Sequence, residues 1–309
     1  MRNFYHNTVS GLERIENPDN SCWIAIENPT DSDKDYLLHT LQIPEAFYND
    51  IEDVDERPRI EEENGWHLII LRIPYKNNDS KLPFTTVPLG IIFKEDRFVS
   101  ICFYKTEMLD DFVVYSQRKH LQVRNHYDLV LKLLLSSSIW YLKYLKQINQ
   151  RIKLAEDNLE KSIKNEELQA LLELEKCLVF FITSIKGNDI LFHKIKNIKS
   201  EKDSFDEDLL EDVDIELKQA QEMSNIYSNI LSGMMDAYAS VISNNLNVIM
   251  KRLTSVSIIL MIPTLIASIY GMNVPNALSN NPNGLLIIVF VSGFLAMIGA
   301  FLFKKKNLF

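Results

Sequence analysis

The chain lacks most of the features that mark common chemistries. Its 309 residues include three cysteines, Cys22, Cys102 and Cys177, with no close pair. They build no disulfide framework and read as buried thiols of a reducing compartment. Six histidines are scattered without zinc-ligand spacing. The N-terminal region has neither a phosphate-binding glycine loop nor a nucleophile elbow, so no enzyme activity is expected. Lys and Arg number 33 against 42 Asp and Glu, a formal net charge of -9, which speaks against a nucleic-acid partner. The opening residues, MRNFYHNTVSGLERIENP, contain no continuous apolar core and do not read as a signal peptide. Charge is missing from one further place: IASIYGMNVPNALSN, residues 266–280, carries none.

What is present divides the chain by texture. Residues 1–120 read as a mixed α/β domain, with strand candidates SCWIAI (21–26), WHLIILRI (66–73), TVPLGIIF (86–93) and FVSICFY (98–104). Residues 35–50 read as a helix and turn, and the acidic segment 51–65 as a solvated connection. From 121 to 203 Leu, Ile, Lys, Glu and Gln dominate, good helix formers, and a helical bundle is expected, broken at KGNDILF (186–192). A long helix is expected to begin between Ser204 and Leu209, where Ser204 and Glu207 fit a capping box. No clear stop follows before Tyr270, although Gly233 and Pro263 lie inside. Such a helix spans roughly 60 residues, or about 90 Å at 1.5 Å per residue, more than a single globular domain needs. Its part from 204 to 252 is expected to lie outside the membrane.

Two apolar segments follow. Leu253–Tyr270 is uncharged, and Gly284–Phe303 is almost pure hydrocarbon of spanning length. Lys251 and Arg252 precede the first, Lys304, Lys305 and Lys306 follow the second, and the loop 271–283 holds no basic residue. The positive-inside rule then predicts a multi-pass protein of a cell membrane with both ends, including the tail 304–309, in the cytosol and the loop outside. The three terminal lysines read as topology anchors or as a basic ring at the cytosolic mouth.

Along the first span, Ser243, Asn247, Met250, Thr254, Ser257, Met261, Thr264 and Ser268 recur at alternating steps of 4 and 3, with Asp236 one heptad below. Leu253 lies beside this stripe. Lipid tolerates such a face poorly, so it faces protein or water. Small and hydroxyl residues suit helix–helix contacts in membranes. A water-lined path explains in addition the carboxylate below and the uncharged GMN turn above. Two spans cannot enclose a pore, so several chains would combine about an axis, with Met250 and Met261 as constrictions that close by dewetting.

The polar atoms of the stripe are hydroxyls, amides and carbonyls, with no fixed positive charge, and they suit a cation. Mg2+ gives up water reluctantly, so neutral oxygens are expected to hold the hydrated ion, with Asn273 accepting bonds from metal-bound water. Gly271 permits a sharp turn or close backbone approach. The acidic run 200–216, including Asp212, reads either as a solvated face or as a place where divalent cations bridge subunits.

YGMN at 270–273, between the penultimate span and a short loop with a final span, resembles the CorA family of magnesium and divalent-cation transporters. The segment 236–273 is similar to that family's stalk end and first membrane helix. The resemblance implies a funnel-shaped homopentamer, Gly271, Met272 and Asn273 as an outer selectivity site, and Asp236, Asn247, Met250, Leu253, Met261 and Thr264 on the ion path. It implies Asp212 in an intersubunit Mg2+-sensing site whose partner the sequence leaves open. Relatives often carry an acidic motif after GMN, where this chain reads VPNALSNNPNG, and a glycine where it has Ser268. Zinc, cobalt and nickel stay open as cargo, and a membrane-anchored sensor or scaffold without transport is the alternative of another class.

Overall fold

A computed structural model describes residues 2–16, 22–77, 80–161, 165–198, 205–272 and 282–305. The strands are β1 (Arg2–Thr8), β2 (Gly11–Ile15), β3 (Trp23–Glu27), β4 (Arg59–Glu63), β5 (Trp66–Lys76), β6 (Phe84–Lys94) and β7 (Arg97–Cys102). The helices are α1 (Asp31–Asp35), which runs into a π-helical turn (Tyr36–Thr40), α2 (Glu45–Glu52), α3 (Glu107–Lys119), α4 (His126–Lys161), α5 (Asn165–Lys196), α6 (Glu207–Tyr270) and α7 (Gly284–Lys305). The chain divides into two compact units, 1–233 and 234–309, with the boundary inside α6.

In the first unit the strands form one sheet in the order β2-β1-β3-β7-β6-β5-β4, with β3 and β7 parallel and the other neighbours antiparallel. β5 and β6 are buried along nearly their whole length. Their near-continuous apolar runs are those of strands covered on both faces. Ile24, Ile26, Leu68, Ile70, Ile92, Val99 and Ile101 share one core with Leu37, Phe47 and Ile51 of the short helices. α4 and α5 pack against β5 and β6.

Two glycines set these contacts. At Gly11 (φ +104) an added Cβ would sit 2.5 Å from the Ser116 carbonyl oxygen; here the β1–β2 hairpin meets α3, and Leu12 N–H donates to Ser116 Oγ at 3.0 Å. A Cβ on Gly90 would fall 2.1 Å from Ile51 Cδ1 and 2.3 Å from Cγ1, inside a core where Ile51 has no exposed surface. Gly90→Ala is therefore expected to lower the unfolding free energy by about 1–3 kcal/mol through overpacking, read by chemical denaturation followed by circular dichroism.

A buried polar network joins the sheet to α4 and α5. The Arg72 guanidinium donates to the carbonyls of Val54, Glu56 and Thr86 and to Thr86 Oγ1. Burial holds its pKa below the usual arginine value. Asn188 accepts from Arg72 N–H at 2.9 Å and donates to its carbonyl at 2.7 Å. Tyr141 Oη–H donates to the same carbonyl at 3.1 Å.

Two sequence expectations are corrected, and one element was not anticipated. The predicted break at 186–192 does not occur: α5 continues to Lys196. Gly187 is there because a Cβ would meet the Pro58 ring at 2.8 Å, and Asn188 satisfies a strand backbone. The acidic connection 51–65 contains strand β4, whose pairing with β5 outweighs its charge. The polar N-terminus forms the β1–β2 hairpin. Ser204 lies outside the described residues; at the start of α6, Asp206 Oδ1 accepts from Asp208 N–H at 3.2 Å and Leu209 N–H at 3.5 Å.

Candidate ion path along the long helix

Burial on α6 obeys one heptad. Placing Leu210 at position a puts the buried residues Leu210, Val213, Leu217, Ala220, Ser224, Tyr227 and Leu231 at a and d throughout. The same count, carried on, puts Ser255 and Ile262 at d and Ile259 and Ile266 at a. Ser255 is buried and the three isoleucines are half-buried. A Cβ on Gly299 of α7 would lie 3.3 Å from Ile262 Cδ1 and 4.0 Å from Ile259 Cγ1, so within the second unit the a/d face meets α7. Ser292, Ala296 and Gly299 supply small side chains on the α7 side, as close helix packing in membranes favours.

The polar stripe takes the other positions. Asp236, Ser243, Met250, Ser257 and Thr264 fall at f, and Asn247, Thr254, Met261 and Ser268 at c; Leu253 is at b. All ten are exposed, Met250 and Met261 at 57% and 67%. Position f is opposite the a/d seam on a helix, so the stripe turns away from α7. A strict heptad drifts about 20° per repeat on a straight helix, and the stripe therefore winds slowly.

Its hydroxyls are oriented. Ser257 Oγ donates to the Leu253 carbonyl at 2.9 Å, and Thr264 Oγ1 to the Leu260 carbonyl at 3.0 Å. Each proton is used inside the helix, leaving the oxygen lone pairs as acceptors. Metal-bound water presents hydrogens outward, so such a surface matches a hydrated cation.

At the upper end, Gly271 (position f) donates its N–H to the Ala267 carbonyl at 2.9 Å, and Met272 N–H reaches the Ile269 carbonyl at 3.4 Å. Asn273 and Lys306 lie outside the described residues. Lys304 and Lys305 are exposed in the last turn of α7.

Asp212 lies at position c, exposed. It borders a cleft of about 520 Å³ between α3, α4 and the start of α6, lined also by Tyr115, Lys132, Trp140, Asp206 and Asp208. Asp111 accepts there from Trp140 Nε1–H at 3.1 Å, and Asp206 pairs with Arg124 at 3.2 Å. Among the described residues Asp212 joins no cluster of three metal-ligating side chains within its own chain. The sequence reading missed the buried a/d seam from Leu210 to Leu231, whose polar members Ser224 and Tyr227 obscure it.

Both α6 and α7 are long and apolar enough to cross a membrane. From 245 to 270 only Ser255 is buried, and on α7 only Gly284 and Ser292, unlike core helices of a soluble protein.

The family described as CorA-like Mg2+ transporter protein matches residues 18–305. The cobalt/magnesium transport protein CorA of Methanocaldococcus jannaschii is 27% identical over 290 residues, covering 92% of this chain and 90% of that protein. Its namesake from Thermotoga maritima is 26% identical over 266 residues, covering 84% and 74%. The complete structure of the CorA magnesium transporter from M. jannaschii superposes with a TM-score of 0.82 at 24% identity, covering 100% of this chain and 99% of that one. The shared fold has an N-terminal α/β domain, a long helix and two apolar C-terminal helices.

Proposed function

The chain belongs to the CorA-like Mg2+ transporter family, and from that premise we propose that five copies form a cell-membrane channel through which hydrated Mg2+ moves down its electrochemical gradient. The c and f positions of α6 line the axis, and the a and d positions hold α7 behind them. Met250 and Met261 narrow the path, and Leu253 flanks it. Ser257 and Thr264 offer acceptor oxygens to the water shell, and Gly271, Met272 and Asn273 form the outer filter. Both chain ends are cytosolic, as the basic flanks of the two spans direct.

The single observation that carries this reading is the exposed c/f stripe on the side of α6 away from α7. A tether for a cytosolic sensor would need only hydrocarbon there. The names of the two relatives pair cobalt with magnesium; Co2+ is a second cargo of the same path, because a hydrated ion is recognised through its waters. Zn2+ and Ni2+ are tested beside it.

The test is ion flux into sealed vesicles holding the purified protein, with a potassium-diffusion potential of either sign. Mg2+ entry is expected to rise with inside-negative potential and to need neither ATP nor a proton gradient. Flux no greater than in protein-free vesicles ends the reading in favour of the tether.

Regulation is assigned to Asp212, exposed and in no metal-ligating cluster among the described residues, with a neighbouring subunit completing the Mg2+ site. Repulsion among the acidic residues of the run weakens subunit contact when Mg2+ is low and opens the path. Asp212→Ala is expected to bring the ratio of proteolysis rates without and with Mg2+ close to unity. An unchanged ratio removes this role.

A further inference from the structure

Three side chains of metal-ligating type converge inside the first unit, between α5 and α6. Asp189 and His193 are one turn apart on α5, and Asp214 comes from α6. One ligand atom from each lies within 4.8 Å of the others, and His193 Nε2 is 3.6 Å from Asp189 Oδ1. A tetrahedral ion with bonds near 2.1 Å holds its ligand atoms about 3.4 Å apart, so little movement is needed. Asp214 Oδ2 meets Lys218 Nζ at 2.6 Å, while Oδ1 is shielded from solvent and has no hydrogen-bond partner among the described residues. Buried carboxylate oxygens are normally satisfied, and a cation bound to Oδ1 would satisfy it. The Lys218 ammonium is held above its ordinary range by the Asp214 hydrogen bond and charge, with Asp189 adding to the effect. It is the cation already drawn to this negative corner.

We propose that Asp189, His193 and Asp214 form a binding site for a transition-metal dication of the zinc and cobalt class, clamping α5 to α6 within one subunit. One imidazole nitrogen and two carboxylates suit Zn2+ or Co2+, with water as fourth ligand; Mg2+ prefers an all-oxygen shell. The site is distinct from Asp212, which points outward at position c while Asp214 lies at e. It does not rest on the transport reading, because its ligands are all in the first unit.

The experiment uses the full chain in detergent, stripped of metal with chelator and then held in excess Mg2+ to fill oxygen-only sites. Co2+ is titrated and its visible absorption recorded, followed by displacement with Zn2+. One Co2+ per chain is expected, displaced by Zn2+ and not by Mg2+. His193→Gln and Asp214→Asn are each expected to weaken Co2+ binding at least tenfold, and Lys218→Met, which removes the competing ammonium, to tighten it several-fold. Wild-type affinity in His193→Gln, or displacement of Co2+ by the excess Mg2+, overturns the proposal. Should the ligand variants misfold by circular dichroism, Lys218→Met decides alone: unchanged or weaker binding refutes the site.

Discussion

Asn273→Ala is expected to reduce Mg2+ flux by at least a hundredfold while leaving assembly intact. The reason is multiplication by symmetry. Each amide oxygen accepts about one hydrogen bond from the water shell, with a net value of about 1 kcal/mol. Five copies act on one ion in the proposed assembly, so the filter loses about 5 kcal/mol of selection, and each 1.4 kcal/mol is tenfold. Alanine offers no acceptor, and no acidic residue in the loop VPNALSNNPNG replaces it. Asn273→Gln keeps the amide but moves it by one methylene, and an intermediate flux is expected. Flux measured in vesicles at matched protein content decides; equal rates for wild type and Asn273→Ala would remove the outer site.

The second large effect is expected within the stripe. Ser257→Leu and Thr264→Leu each replace an exposed hydroxyl at position f with hydrocarbon. In the proposed assembly this takes a ring of acceptors from the axis and narrows it, and a narrow apolar ring dewets. A fall in flux of about tenfold or more is expected for each. Thr264→Ser keeps the oxygen and its donation to the Leu260 carbonyl, so it is expected to conduct nearly as wild type. A hydrocarbon replacement at Leu265, exposed at position g, serves as the control and is expected to leave flux unchanged. If Thr264→Leu conducts like wild type, the c/f face does not line the path.

Much of this was legible in the residues. The strands from WHLIILRI, TVPLGIIF and FVSICFY are where their Val, Ile and Phe content put them. The long helix starts at Glu207 and ends at Tyr270, as the absence of any stop signal implied. Gly233 and Pro263 do not interrupt it. Pro263 removes the N–H that would meet the Ile259 carbonyl and crowds that carbonyl with its ring, yet the helix of 64 residues runs on through it.

Other elements were not legible, for identifiable reasons. The β1–β2 hairpin is written in polar residues because it is an edge of the sheet, and its partner α3 lies about a hundred residues along, as Leu12 and Ser116 show. The glycine–asparagine pair at 187–188 has the composition of a turn, yet serves packing against Pro58 and a strand backbone. His193 looked isolated because Asp214 of α6 comes within reach of it and of Asp189 only when α5 and α6 lie side by side.

The sequence by itself determined the local patterns: short Val-, Ile- and Phe-rich runs for the strands, the heptad along α6, two hydrocarbon stretches, and the placement of positive charge beside them. These are local, since a side chain's neighbours on one helix or strand follow from backbone geometry alone. Only the tertiary structure decided which side of each periodic element is covered. The polar stripe could have been sealed against the last helix, and the buried Ser255 and half-buried Ile262 at d instead turn it outward. That choice depends on the summed packing of residues far apart in the chain, which no local pattern contains.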